Sequence, residues 1–351
     1  MDSTTIDGIP IYLSRPTTID IEWIGQPDVM EQLIATWATI HEADLPMCPR
    51  ILGQPGSGKT TLAYAAAKKI NKEVYIFQCT ADTRPEDLII TPVLGSKQEI
   101  RYHASPLVTA MITGAVCILD EGNRMPEKSW ASLAPLLDRR RYVESILAGI
   151  QVKAHPNFRV CVTMNQDASV FEIPDYIGSR LQPKIHVTFP SRENEIAILQ
   201  YNIPFAPKEV VDYVVDFLQK AHKADEPYSV RDGVNITRYM LKMAASEPKP
   251  FDKARIEAHF KSAAVKVLDT DALDVLTGKR RQAAQSPGIG TGQQMFRLRD
   301  LIKGLEDSSL NDIDHDIGHE RDDDDEEEYP SGDDELGDEG AEKHGRRRKT
   351  R

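Results

Sequence analysis

Apolar residues gather first into short runs separated by helix-prone stretches. Such runs at 49–52, 73–79, 115–119, 159–164 and 184–189 read as strands. The run Ala115-Val116-Cys117-Ile118-Leu119 is apolar throughout, as a strand buried on both faces of a parallel sheet should be. Alternation of strand and helix from residue 23 to 189 predicts an α/β domain. Pro190-Ser191 breaks it, and the helical period takes over. Val211, Val214, Val215 and Leu218 share one face, and Ile236, Tyr239, Met240 and Met243 another, so 190–275 reads as a small helical lid. Two β-prone stretches flank Gly95-Ser96 within 88–102, and Tyr142-Val143-Glu144 and Gly149-Ile150-Gln151-Val152 flank a second turn; both predict hairpins. Residues 1–22, with Pro10, Pro16 and several Thr, read as an extended lead-in packed on the core. Residues 276–304 read as a linker with one short helix near 296–303, and 305–351 as a disordered tail.

Chemistry enters right after the first core strand. Gly53-Gln54-Pro55-Gly56-Ser57-Gly58-Lys59-Thr60 fits the phosphate-loop pattern G-x-x-x-x-G-K-[ST] between a predicted strand and a helix of about 60–70. The glycines let successive N–H groups turn toward phosphates. Lys59 supplies a point charge, the Thr60 hydroxyl can ligate Mg²⁺, and Thr61 joins the nucleotide contacts. The strand at 115–119 ends in Asp120-Glu121, where open α/β sheets place ligands. Asp120 suits the Mg²⁺ of an ATP complex, and Glu121 suits polarisation of the attacking water. The strand at 159–164 ends in Asn165, an amide that can bond that water or the terminal phosphate without adding negative charge.

With these residues the chain resembles an AAA+ ATPase, more narrowly the MoxR and dynein-related group, over roughly residues 20–275. That wider group includes ATPases serving nitric-oxide reductase, Rubisco activation, gas vesicles and the cobalt and magnesium chelatases. Ile24-Gly25-Gln26 is similar to the family's segment beside the adenine, Asp120-Glu121-Gly122-Asn123-Arg124 to its D-E-x-N-R signature, and His155-Pro156-Asn157-Phe158-Arg159 to its H-P-x-F-R lead. The resemblance implies a P-loop parallel sheet with a helical lid, ATP and Mg²⁺ as ligands, and β-hairpin inserts near the face and pore of a ring, typically a hexamer. It makes Asn165 the first sensor and Arg180 a finger reaching the neighbouring subunit's nucleotide, although Ser179-Arg180-Leu181 stands where the family usually has D-R-F. It makes Arg231, in Ser229-Val230-Arg231, the second sensor, with Arg238 as another candidate. The implied work is remodelling of a client protein, often with a von Willebrand A-type partner and sometimes in metal or cofactor insertion.

Charge changes the picture only at the end of the chain. Residues 305–351 hold 19 acidic and 7 basic side chains, so the remainder, with 36 of each, is formally neutral. The tail reads as a solubilising end or an electrostatic handle, and its last six residues, Arg346-Arg347-Arg348-Lys349-Thr350-Arg351, reverse its sign. A neutral body without a basic-aromatic stripe disfavours a nucleic-acid motor or nuclease subunit. A nucleotide-gated scaffold is a third reading, against which all the hydrolysis residues stand. No apolar run approaches the roughly 18 residues a membrane helix needs, and the N-terminal residues lack a signal-peptide pattern. Cys48, Cys79, Cys117 and Cys161 have no C-x-x-C spacing, and Cys117 and Cys161 read as small buried hydrophobes. A reduced, cytoplasmic protein without a His metal motif is expected, with His103 and His155 as local hydrogen-bonding residues.

Overall fold

A strand apolar on both faces needs cover on both faces, and the intervening helices supply it. A computed structural model describes residues 2–95, 99–166, 172–245 and 250–277. Strands β1 (Ser3–Ile6) and β2 (Ile9–Tyr12) precede α1 (Pro27–Trp37), β3 (Arg50–Gly53), α2 (Lys59–Lys69), β4 (Val74–Gln78) and the short α3 (Pro85–Leu88). Then come β5 (Ile90–Leu94), β6 (Ile100–Ala104), α4 (Pro106–Thr113), β7 (Val116–Asp120), a 3-10 turn at Gly122–Arg124 and α5 (Glu127–Leu133). A second hairpin, β8 (Tyr142–Ser145) and β9 (Ile150–Lys153), leads to β10 (Arg159–Asn165), α6 (Asp175–Gly178) and β11 (Lys184–His186). Helices α7 (Arg192–Asn202), α8 (Lys208–Lys223), α9 (Val230–Ala244), α10 (Lys253–Val267) and α11 (Ala272–Thr277) follow.

The core is a five-stranded parallel sheet in the order β11-β3-β10-β7-β4. All five expected strands are in it, β11 ending at His186 rather than 189. The register sets Asn165 beside Gly53 and Gln78 beside Asp120, so polar residues collect at one C-terminal edge. Cys117 and Leu119 face one apolar cluster, while Val116 and Ile118 face another that α1 and α2 cover. Cys117 and Cys161 are fully buried, and burial pushes both thiols well above their usual range. The H-P-x-F-R segment is scaffold: the Arg159 guanidinium, buried, donates to Trp37 O at 2.6 Å and Pro156 O at 2.9 Å, and His155 Nδ1 accepts from Asn157 N at 3.0 Å. His103 stacks on Tyr12.

Both expected hairpins are present and antiparallel. The lead-in, however, is not plain extended chain. Asp7 and Gly8 have φ of 48° and 82°, the paired left-handed residues of a two-residue hairpin turn. Strand β2 then pairs in parallel with β6, giving a four-stranded sheet in the order β1-β2-β6-β5 with Ile11 fully buried.

In the helical part, Val211, Val214, Val215 and Leu218 are buried as the period predicts. On α9 Ile236 and Met240 point inward, but Tyr239 is 38% exposed and Gly233, Val234 and Thr237 share the inner face instead. No helix among the described residues is long and apolar enough to cross a membrane. The linker from 278, the expected helix at 296–303 and the acidic tail lie outside the described residues. Ile11→Ala should cost about 2–5 kcal/mol of unfolding free energy, the range for a buried aliphatic truncation; denaturant titration checks this, and a loss near zero would mean that the N-terminal strands add nothing to the core.

Candidate nucleotide site

Strand β3 ends at Gly53 and hands the chain to a loop that only glycine can turn. Gly56 and Gly58 have φ of 78° and 88°. A Cβ on Gly53 would lie 2.7 Å from Val187 O, and one on Gly56 would lie 2.3 Å from Ser229 Oγ. Helix α2 begins at Lys59, so its first N–H groups and its dipole face the loop. Lys59 is buried, and its ammonium donates to Gly53 O at 3.1 Å and Gln54 O at 2.9 Å.

The strand ends supply the carboxylates. Asp120 Oδ1 accepts from Thr60 Oγ1 at 2.6 Å and from Thr163 Oγ1 at 2.5 Å. The backbone turns left-handed at Glu121, whose N–H donates to Thr163 Oγ1 at 3.0 Å. Glu121 Oε1 accepts from Asn165 Nδ2 at 3.1 Å, and Oε2 accepts from Gln78 Nε2 at 3.3 Å and lies 2.8 Å from Arg124 Nε. Asn123 Nδ2 donates to Asn165 O at 2.8 Å, and Asn165 N returns a bond to Asn123 Oδ1 at 3.4 Å. The D-E-x-N-R segment therefore has a mechanical meaning. Asn123 clamps the backbone at Asn165, and Arg124 holds the Glu121 carboxylate from the other side. Glycine at 122 is required, because a Cβ there would lie 2.3 Å from Val162 Cγ1.

These groups surround a polar pocket of about 110 Å³, lined by Pro55, Gly56, Gly58, Lys59, Thr60, Thr61, Asp120, Glu121, Thr163, Asn165 and Arg231. A second pocket of about 340 Å³ shares Gly56, Gly58, Thr61 and Arg231 with it and adds Trp23, Ile24, Gln26, Ser57, Val234 and Arg238 among others. The first suits phosphates; the second, half apolar, suits a base and sugar. Of the two candidate sensor arginines, Arg231 reaches both pockets, while Arg238 lines only the larger and donates to Asn202 O at 3.4 Å. Gly25 lines neither. Its φ is 80°, and a Cβ on it would lie 2.3 Å from Asn194 Nδ2, so it permits a close approach to α7.

Arg180 also lines neither pocket of its own chain. It donates from Nη1 to Tyr176 O, and its Nε lies 3.4 Å from Asp138 Oδ2. Hydrogen bonds from Arg140, and less strongly the charge of Arg180, hold the Asp138 carboxyl down to about 2.

A family model, the AAA domain of the dynein-related subfamily, matches residues 50–181. Protein CbbQ of Hydrogenophilus thermoluteolus is 30% identical over 210 residues, covering 58% of this chain and 76% of that protein. The chain belongs to the dynein-related AAA family. Uncharacterized proteins of Staphylococcus aureus and Staphylococcus haemolyticus are 30% identical over 118 residues, so the chain spans 45% of their length. Among solved structures, the Thermotoga maritima RuvB Holliday junction branch migration motor is 15% identical with a TM-score of 0.44 over 71% of each chain, a likeness that carries no argument. Membership of the AAA family implies ATP binding and hydrolysis and, usually, assembly into rings.

The AAA site includes residues whose part in it the sequence reading missed: Gln78, Thr163, Ser229, and Asn123 and Arg124 as supports of Asn165 and Glu121. Thr163 could have been found, because a hydroxyl two positions before Asn165 shares its face of the strand. In this arrangement Asn123→Ala leaves the nucleotide contacts intact but frees the end of β10. Its kcat should fall about tenfold, as loss of a buried hydrogen-bond pair allows, with KM for ATP little changed; steady-state kinetics check it, and an unchanged kcat would remove the clamp from the mechanism.

Proposed function

We propose that this AAA chain is a Mg²⁺-dependent ATPase working as a homo-oligomeric ring, a hexamer as is typical of MoxR relatives, and spending turnover on remodelling or activating a partner protein. The observation that carries this reading is the Glu121 carboxylate, fixed between Asn165 Nδ2 at 3.1 Å and Arg124 Nε at 2.8 Å beside the Lys59 loop. A carboxylate so placed can orient and polarise a water against the outermost phosphate, and Asn165 can report whether that phosphate is present. The donor set fits Mg²⁺: a hydroxyl and a carboxylate, Thr60 Oγ1 and Asp120 Oδ1, already lie 2.6 Å apart. Mg²⁺ held there would neutralise phosphate charge. Lys59 would exchange its loop carbonyls for phosphate oxygens, and Arg231 would bring α9 onto the same group.

Arg180 is held by Asp138 and Tyr176 and lines neither pocket of its own chain, which supports action on a neighbour's nucleotide. Contact with a client is assigned to the hairpins. Ile146 is 94% exposed and Leu147 53% exposed at the tip of β8–β9, and Leu94 and Ile100 are likewise exposed on β5–β6. Apolar side chains presented in this way fit a protein surface better than water. The client class proposed is a protein assembly with a von Willebrand A-type component.

Three measurements test the reading. Glu121→Gln should bind ATP within a few-fold of wild type and lose turnover by about 10² or more, the scale of general-base removal; wild-type hydrolysis would sink the assignment of Glu121. That variant, purified from its native host with ATP and Mg²⁺, should retain a stoichiometric protein, whereas nuclease-sensitive nucleic acid alone would replace remodelling with a motor. Arg180→Ala should be inactive by itself but regain turnover when mixed with Glu121→Gln, because where the two variants adjoin in the right order an intact Glu121 meets an intact Arg180 across the interface. A mixture as inactive as its parts would place Arg180 outside trans catalysis.

A further inference from the structure

Where the core sheet hands over to the helices, a polar cluster is closed off from water. Glu195, in the first turn of α7, is fully buried. Its Oε2 accepts from Gln219 Nε2 at 2.9 Å, and the same amide nitrogen lies 3.2 Å from Pro190 O. Its Oε1 has no hydrogen-bond partner and faces His222 Nδ1 at 3.6 Å. The other ring nitrogen, Nε2, lies 2.8 Å from Tyr228 O, and the imidazole stacks on Phe189 with centroids 3.9 Å apart and planes 8° from parallel.

The proton inventory follows from these partners. A carbonyl oxygen only accepts, so Nε2 carries a hydrogen. In the neutral ring Nδ1 is then a bare lone pair aimed at a carboxyl oxygen. That approach is attractive only while one proton lies between them, on the acid or on the ring.

The other end of the cluster reaches the nucleotide. Tyr228 leads directly into Ser229, the N-cap of α9, whose N–H and hydroxyl donate to Asp232 Oδ2 at 2.8 and 2.9 Å, and then into Arg231. This turn rests on the phosphate loop: a Cβ on Gly56 would lie 2.3 Å from Ser229 Oγ and 3.3 Å from Arg231 Cβ.

We infer that His222, backed by the buried Glu195, is a positioning residue for Arg231: it fastens the Tyr228 carbonyl to Phe189, just past the end of β11, and so sets where Arg231 stands over the phosphate loop. The inference rests on the proposed ATPase role of Arg231. The other charged groups of the packed elements are engaged elsewhere or exposed. Arg192 pairs with Asp212 at 3.5 Å and Asp216 at 2.8 Å, Glu257 with Lys261 at 2.8 Å, Asp269 accepts from Tyr228 Oη at 3.5 Å, and Glu193, Lys220 and Lys223 face outward. Burial pushes the Glu195 carboxyl up to about 7 and lowers His222. A raised acid favours the closed cluster while protonated, so the fastening is present below about 7, until His222 takes up a second proton in its lowered range, and is lost as pH rises through about 7.

The test uses the full chain with ATP and Mg²⁺ at pH 6 and 8, reading amide hydrogen exchange over 228–233, corrected for intrinsic rates, together with turnover. His222→Ala should speed exchange there about tenfold, the factor one lost hydrogen bond to a buried carbonyl supplies, and should lower kcat more than it changes KM. His222→Gln, which keeps a donor for Tyr228 O, should restore most of both. Wild type should exchange faster in this segment at pH 8 than at pH 6, and Glu195→Gln, neutral at both, should lose the difference. Wild-type exchange over 228–233 in His222→Ala, or a pH difference that survives Glu195→Gln, would overturn the inference; if His222→Ala does not fold, the two Gln variants decide it. Altered exchange in a chain that hydrolyses no ATP would leave the positioning intact and remove the ATPase reading instead.

Discussion

Asp120 Oδ1 receives two hydroxyl hydrogen bonds, from Thr60 at 2.6 Å and Thr163 at 2.5 Å, and through that one atom the site holds together. Thr60 belongs to α2, Asp120 to β7 and Thr163 to β10, so the phosphate helix and two strands share an oxygen. Thr163 then accepts from Glu121 N at 3.0 Å, which sets the left-handed turn that swings the Glu121 side chain toward Asn165. A carboxylate that close to a nucleotide has to be held there, because Coulomb repulsion from the phosphates drives it away. Here hydroxyls, the Asn165 and Gln78 amides and the Arg124 cation do the holding. None of this works unless β10 lies between β3 and β7 in the observed register, with Asn165 level with Gly53.

What could be read from the sequence follows from that geometry. The phosphate loop, Asp120-Glu121 and Asn165 are each local: a few neighbouring residues whose chemistry and strand context suffice. The supports are not local. Asn123 clamps a backbone 42 positions away, and Gln78 reaches Glu121 across 43, both through strand register that a linear pattern does not contain. Gly25 is expected beside the nucleotide from its motif, whereas the structure shows it lining neither pocket, and its φ of 80° and its approach to Asn194 concern packing against α7. The N-terminal hairpin left a trace, Asp7-Gly8, which favours the turn found there. Pro10 argued the other way, because proline weakens a strand reading unless it lies at an edge. On α9, a period-based face included Tyr239, but Gly233 lets Leu218 of α8 approach so closely that the helix rolls to bury Val234 and Thr237.

The two inserted hairpins are built to differ. An isolated two-stranded hairpin is marginal in water, whereas three or more strands over an apolar face are not. The hairpin β5–β6 recruits β1 and β2 into a four-stranded sheet anchored by buried Ile11 and Ile90. Hairpin β8–β9 stays two-stranded, with Val143, Ile150 and Val152 fastened to the core while Ile146 projects from the tip. The first is stiffened by a third strand beside Tyr102 and His103, and the second is fixed at its base by side chains alone.

The helical part adds a second connection between the nucleotide and the rest of the molecule. Through the strand ends, the pocket beside the phosphate loop touches Asn165 and, at the far end of β10, the chain continues back into β8–β9. Through Gly56, the pocket senses the turn Ser229–Arg231 and the helices hung on it. A chain with only the first connection would register the phosphate locally and leave the lid indifferent to it. Here the phosphate loop leans on Ser229 as closely as glycine permits, so a shift of the loop on binding or release has to move α9 or strain the contact. Gly56 is therefore both a phosphate-loop residue and the bearing between the core and the lid, and a side chain there would disable both at once.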